Sequence, residues 1–258
     1  MKRFDLLSLS LLLLLSPTPL VAQTATISPA ATQQPTAAQT SGDTTTSVNP
    51  GINDSFLDPE MDVQAWVERF EVESREVYHA RDAIMAGLNL KPGDRVADVG
   101  AGTGFYSLLM STAVGSKGWV YAVDISPKFV QYLVDQFDQR GVENVTTVMC
   151  DDDSVCLPPE SVDLAFICDV YHHFEFPEQT MQSIFNALRP GGRVVIIDFE
   201  RIPGVSREWT IGHVRAGKET FIDEVQSVGF ELTAERKIPG FKENYFLEFR
   251  KPDQAGDE

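Results

Sequence analysis

The run Val96-Ala97-Asp98-Val99-Gly100-Ala101-Gly102-Thr103-Gly104 constrains this chain more than any other feature. A short apolar strand breaks into three glycines at alternate positions, and a new apolar stretch, Phe105 to Val114, follows at once. Glycines without Cβ permit a tight left-handed bend and the close approach of a ligand, and the helix that follows opens with unpaired N–H groups. This is the turn of a nucleotide-binding unit, and its spacing separates two classes. Dinucleotide loops use G-x-G-x-x-G with a phosphate on the helix N-terminus, whereas this chain has G-x-G-x-G and an acid, Asp98, two residues before the first glycine. A carboxylate there repels a pyrophosphate and suits a ligand carrying positive charge.

Around this turn, strand-like and helix-like patterns alternate. Arg95–Val99, Trp119–Val123, Val145–Met149, Val162–Cys168 and Arg193–Phe199 read as strands, and Phe105–Val114, Pro127–Arg140, Pro177–Leu188 and Ala216–Val228 read as helices. The pair Glu231–Ile238 and Tyr245–Arg250, joined through Pro239-Gly240, reads as an antiparallel hairpin. Alternation implies parallel pairing through right-handed crossovers. The expectation is an α/β fold: a doubly wound, seven-stranded, mostly parallel sheet with helices on both faces. Ahead of it, Met61 to Leu88 carries Trp66, Phe70, Val77, Ile84 and Leu88 at helical spacing, one long or broken amphipathic helix. Trp66, Phe70 and Tyr78 could close over a ligand as a lid at residues 61–90, but aromatics so spaced more often belong to a core.

The ends of the chain carry other signals. Met1-Lys2-Arg3, the apolar stretch Leu6 to Leu15 and the small residues before Gln23 read as a signal peptide over residues 1–22, so an exported protein is expected. The apolar stretch is about half the roughly 20 residues that span a bilayer, so no stable membrane span is expected in the mature chain, although an uncleaved signal would tether it. Residues 23–55, rich in Thr, Ala, Pro, Gln and Ser, read as a disordered tether, leaving 56–258 as the folded domain. A formal charge of −17 with no basic patch excludes nucleic acid as an expected partner. Three cysteines, an odd count, leave at least one free thiol, although Cys150 and Cys156 are close enough to pair. No CxxC or HxxxH spacing marks a zinc site.

In a doubly wound sheet, ligands sit at the carboxyl ends of the strands where strand order reverses. Four strands end in acids: Asp98, Asp124, Asp151-Asp152-Asp153 and Asp169. Any single one reads equally well as a helix cap, but four on one rim point to a site. Asp124 falls where it can accept both hydroxyls of a ribose, and the acids after the third strand can accept from an adenine amino group.

On Asp98–Gly104, Asp124, the Asp151–Asp153 stretch with Leu157-Pro158, and Val162-Asp163-Leu164, the chain from about Met61 to Lys251 resembles the class I S-adenosylmethionine-dependent methyltransferases. The likeness is to the small-molecule branch that includes ubiquinone and menaquinone C-methyltransferases. It implies S-adenosyl-L-methionine as cofactor and a small-molecule acceptor. It implies that Asp98 and the backbone around Gly100, Gly102 and Gly104 hold the methionine end, that Asp124 holds the ribose, and that Asp169 lies near the methionine moiety or the reacting centre. The adenine amino group would fall to Asp153, by its distance from Leu157-Pro158, or to Asp152. The family often has Gly-Asp-Ala here, and the three aspartates blur which acid is equivalent.

A base is needed only when the acceptor must lose a proton. Tyr171-His172-His173-Phe174, after the fourth strand, is the best place for it: His172 or His173 as base and Tyr171 as a substrate contact, against the plainer reading of a packed or capping histidine. Two adjacent histidines without a third ligand make a poor metal site, so no metal is expected. A second group, Gly212 to Glu219, offers His213 as an alternative base and Arg215 for an anionic or carbonyl-bearing substrate; its plainer reading is an Arg215–Glu219 pair on a solvated helix. Export separates donor from protein, because S-adenosylmethionine is made in the cytoplasm. That keeps open a non-catalytic nucleoside-binding module. A nicotinamide oxidoreductase shares Asp124 but lacks the glycine spacing and a Tyr-x-x-x-Lys pair.

Overall fold

The computed structural model describes residues 46–72 and 75–253. The signal peptide and most of the tether lie outside these residues. Residues 46–55, read from sequence as tether, are held on the domain: Val48 N–H donates to the Glu175 carbonyl (2.9 Å), and Asn53 Nδ2 donates to the His173 carbonyl (3.1 Å). No helix among the described residues is long and apolar enough to cross a membrane.

The elements run α1 Asp54–Leu57, α2 Val63–Phe70, α3 Glu76–His79, α4 Arg81–Leu88, β1 Arg95–Val99, α5 Phe105–Val114, β2 Trp119–Asp124, α6 Pro127–Gln139, β3 Val145–Met149, β4 Val162–Cys168, α7 Pro177–Ala187, β5 Leu188–Phe199, α8 Glu208–His213, α9 Lys218–Ser227, β6 Glu231–Arg236 and β7 Asn244–Arg250. The sheet order is β3-β2-β1-β4-β5-β7-β6. β1 to β5 pair in parallel, and β7 enters between β5 and β6 antiparallel to both. The expected sheet is therefore present. The segment read as one long or broken helix is the broken form, α2, α3 and α4, and α1 and α8 add two short helices that periodicity did not reveal.

The apolar runs of β4 and β5 are explained by burial on both faces, since side chains alternate across a strand. Ala165, Ile167, Val194 and Ile196 join one core with Met181, Ile184, Phe221 and Val225 of α7 and α9. Leu164, Phe166, Val195 and Ile197 join another with Ile84 and Leu88 of α4 and Met110 and Val114 of α5. Both layers hold the central strands rigid, so what stands at their carboxyl ends is fixed in place.

Register then decides which rim residues meet. Val99 lies opposite Val123, so Asp124 follows beside Gly100; Cys168 lies opposite Ile197, so Asp169 and Asp198 emerge side by side; and Phe199 lies opposite Asn244. The reversal of strand order falls between β1 and β4, and the cleft opens there.

Candidate active site

A cleft of about 910 Å³ lies over the carboxyl ends of β1, β2 and β4, lined by Asp98, Gly100 to Thr103 and Asp124 on one side and by His172, His173, Trp209 and His213 on the other. Its volume is near the top of the roughly 300–1,000 Å³ typical of small-molecule sites. A nucleoside and a compact second ligand fit such a space together.

The three glycines of the turn have different reasons to be glycine. Gly100 (φ +73°) would drive a Cβ to 2.5 Å from Val170, and Gly104 (φ +78°) to 2.5 Å from Leu133. Gly102 (φ +53°) has nothing nearer than Phe70 at 3.8 Å, so its missing side chain leaves open space in the cleft. Gly100→Ala is therefore expected to fold poorly, while Gly102→Ala keeps its fold at a cost of about 1–2 kcal/mol for the left-handed backbone. The latter should weaken S-adenosylmethionine binding at least tenfold, which melting curves and titration calorimetry on the two variants will separate.

Two buried carboxyls flank the turn. Asp98 is 4% exposed and accepts from Ser107 Oγ at 2.5 Å. Burial pushes it up to about 7, against the pull of the Ser107 hydroxyl. Asp124, 5% exposed, accepts from Gly102 N–H and Ser126 N–H, both at 2.8 Å, and burial pushes it up to about 6. Among the described residues, no cationic side chain pairs with either carboxyl. Such a pair is held at a cost that a cationic, hydroxyl-bearing ligand relieves and a phosphate increases. The donor set therefore fits an adenosyl sulfonium.

Asp169 is paired instead. Arg75 reaches its Oδ2 at 2.5 Å and Asn244 Nδ2 donates to its Oδ1 at 2.8 Å. Burial raises it to about 6 in spite of Arg75. Arg75 also donates to the Phe70 carbonyl (3.2 Å), and Glu76 accepts from the N–H groups of Lys242, Glu243 and Asn244. These bonds fasten the N-terminal helices over the strand ends. Trp66, Phe70 and Tyr78, read as core from their spacing, line the cleft instead, whereas Val77, Ile84 and Leu88 supply the core face.

On the far wall the chain turns once through Tyr171–His173. His172 Nδ1 lies 2.8 Å from Asp198 Oδ1, with the two side chains 2% and 0% exposed. Asp198 also accepts from His172 N–H (3.1 Å) and Phe199 N–H (2.7 Å). His213, at the end of α8, brings its Nε2 to 3.3 Å from His173 Nε2. Burial and the neighbouring imidazoles push His173 down to about 2, and burial lowers His213 as well, so both rings are neutral at pH 7.

Several expected site residues lie elsewhere. Asp152 and Asp153 are exposed and do not line the cleft, because Val155 is the residue the loop buries after β3. Tyr171 is fully buried between Phe174 and Phe221, with its hydroxyl 3.1 Å from Glu224, and does not line the cleft. Arg215 forms a two-pronged pair with Glu224 at 2.7 and 2.6 Å, not a pair with Glu219, and does not line the cleft. The residues not foreseen are Arg75, Asp198, Trp209 and Asn244. Asp198 alone carried a usable signal, since Ile196-Ile197-Asp198 is a fifth apolar strand ending in an acid.

The sheet order and this glycine turn between two rim carboxyls define a class I S-adenosylmethionine-dependent methyltransferase fold. The chain belongs to the methyltransferase domain family, whose model matches residues 90–238, and S-adenosylmethionine is the cofactor that membership implies. It is 30% identical over 112 residues to the ubiquinone/menaquinone biosynthesis C-methyltransferase UbiE of Vibrio vulnificus, covering 43% of each chain. It is 38% identical over 64 residues to the protein-L-isoaspartate O-methyltransferase of Fervidobacterium nodosum, 25% of this chain and 32% of that one. The chain thus matches less than half the length of these curated relatives. An S-adenosylmethionine-dependent methyltransferase structure from Aquifex aeolicus shares the fold with a TM-score of 0.65 at 23% identity, covering 74% of this chain and 100% of that one.

Proposed function

We propose that this protein transfers the methyl group of S-adenosylmethionine to a small-molecule acceptor held against the aromatic and imidazole wall of the cleft. The observation that carries the reading is one cleft with two unlike halves: buried Asp98 and Asp124 around the open Gly102 turn, and the His172, His173 and His213 side chains opposite. In this reading Asp98 holds the ammonium end of the donor and Asp124 its ribose hydroxyls. Asp152 and Asp153, being exposed, leave the adenine to the apolar wall of Ile125 and Phe129.

When bound, S-adenosylmethionine supplies an already activated methyl group on a sulfonium. What remains for the protein is to align the acceptor and exclude water, and alignment of this kind can supply about 7–11 kcal/mol. Phe56, Trp66, Phe70 and Trp209 give the acceptor side flat apolar faces. An acceptor that must shed a proton meets nitrogen there: the Nε2 edge of His172, whose Nδ1 is committed to Asp198, or the neutral His213. Export through residues 1–22 remains part of the proposal, and it requires delivery of the donor.

Titration calorimetry with S-adenosylmethionine, S-adenosylhomocysteine and NAD is the first test, followed by incubation with a metabolite extract and methyl-labelled donor. Binding of the first two ligands, no binding of NAD and label in a small metabolite are expected. Failure to bind S-adenosylmethionine overturns the reading. Binding without transfer to any component makes the protein a nucleoside sensor.

A further inference from the structure

We infer that His172, His173 and His213 form a binding site for one divalent first-row transition-metal ion, for which Zn²⁺ and Co²⁺ are suitable probes. Sequence offered only two adjacent histidines. The fold brings α8 across the turn after β4 and adds a third imidazole, so that one ligand nitrogen from each ring lies within 4.8 Å of the others.

Geometry favours an ion over a simple contact between rings. Two imidazole nitrogens on one tetrahedral ion, each at ~2.0–2.1 Å, stand about 3.3 Å apart. The Nε2 atoms of His173 and His213 are 3.3 Å apart, long for a hydrogen bond between two rings and matched to two ligands of a shared cation. His173 Nδ1 is buried without a partner, so this ring is not held by hydrogen bonding from its other side.

The surroundings are those of a ligand set. Metal-bound histidines commonly give their second nitrogen to a carboxyl group, which fixes the ring and strengthens the ligand. His172 does so at 2.8 Å to Asp198, which is itself locked by two backbone N–H groups. Each imidazole also has an aromatic neighbour: Phe199 edge-on to His172 at 5.8 Å, Phe56 edge-on to His173 at 5.4 Å and Trp209 stacked on His213 at 4.7 Å. Three protein nitrogens leave a fourth position, and all three rings line the cleft, so that position faces the acceptor side. With an ion in place the three ring nitrogens are ligands and no longer bases, and an acceptor oxygen or sulfur in the fourth position would release its proton to solvent and be held as its anion.

Metal binding needs neither donor nor acceptor, so its test is separate from that of methyl transfer. The full chain carrying Cys150→Ser and Cys156→Ser, to remove the exposed Cys156 thiol and its neighbour Cys150 as sites for soft metals, is stripped with chelator and titrated with Co²⁺. One equivalent is expected to bind with the visible bands of a tetrahedral, nitrogen-ligated ion and to quench Trp209, and Zn²⁺ should displace it. His213→Ala and His173→Gln should each weaken binding at least 100-fold, and Asp198→Asn by 10–100-fold. His79→Gln, the remaining histidine, should bind as the parent does. Retention of the metal in His213→Ala, or no stoichiometric binding by a parent that folds, overturns the inference.

Discussion

Replacing Asp98 by asparagine is expected to weaken S-adenosylmethionine binding by about 100-fold and, at pH 8, to raise the melting temperature by about 5 °C. Both effects have one origin. Asp98 stands at the end of β1 with 4% of its surface exposed, and its one side-chain partner is the uncharged Ser107 hydroxyl. Moving its ionisation from 3.8 to about 7 corresponds to about 4 kcal/mol at 1.36 per pH unit. Asparagine removes that charge, but its amide needs an acceptor the site does not provide, so part of the gain is lost. Bound donor loses a charge-assisted contact, worth roughly 1.5–3 kcal/mol, and the turn's attraction for a cation.

The sign of the pH dependence follows. In the folded chain Asp98 keeps its proton up to about 7, whereas the unfolded chain releases it near 3.8. Folding therefore takes up a proton across that window, and the carboxyl costs stability increasingly as pH rises through it. The stabilisation by Asp98→Asn should be complete above pH 7 and vanish near pH 4. Donor binding has the opposite slope: the parent loses affinity for S-adenosylmethionine as pH falls below 7, and the asparagine variant keeps only the part of that loss that Asp124, raised to about 6, contributes at lower pH. Melting curves and calorimetry at pH 5, 6, 7 and 8 read both slopes. A variant that binds the donor as tightly as the parent at pH 8 removes Asp98 from the cofactor site.

The parts of this site that were legible in the sequence are those that depend on strand order and local spacing. The glycine turn, Asp98 and Asp124 are fixed by β1, β2 and their register, and parallel pairing could be read from the alternation of elements. Side-chain direction in short irregular segments was not legible. Tyr171 and His172 are adjacent in a single turn, yet one enters the core against Phe221 and the other lines the cleft. The loop after β3 faces Val155 inward and three aspartates outward, which a count of acids at strand ends does not distinguish. Arg215 finds Glu224, a full helix away on α9, because both flank the buried Phe221 and Tyr171 rings; spacing alone suggested Glu219. Arg75 and Asn244 join the site through contacts 94 and 75 residues distant in sequence. No local pattern encodes such pairs.

Asp198 gives the second large effect, and its two substitutions are expected to diverge. Asp198→Ala strands three donors in a fully buried site: the His172 and Phe199 N–H groups and the His172 ring. Breaking a buried pair of this kind costs about 3–5 kcal/mol, and for a domain of this size that lowers the melting temperature by about 10 °C. Asp198→Asn keeps the volume and one oxygen acceptor, so it should lose only about 1–2 kcal/mol as one N–H group goes without an acceptor. Its effect on turnover is larger. Without the carboxyl, the His172 ring is no longer fixed by Nδ1, and the orientation of its cleft-facing edge is lost. Single-turnover methyl transfer should fall about 100-fold, while the dissociation constant for S-adenosylmethionine stays within about threefold, since Asp98, Gly102 and Asp124 do not touch Asp198. That outcome would make Asp198 a positioning residue that acts through His172. If donor affinity in Asp198→Asn falls in step with turnover, the dyad is part of the fold's support alone.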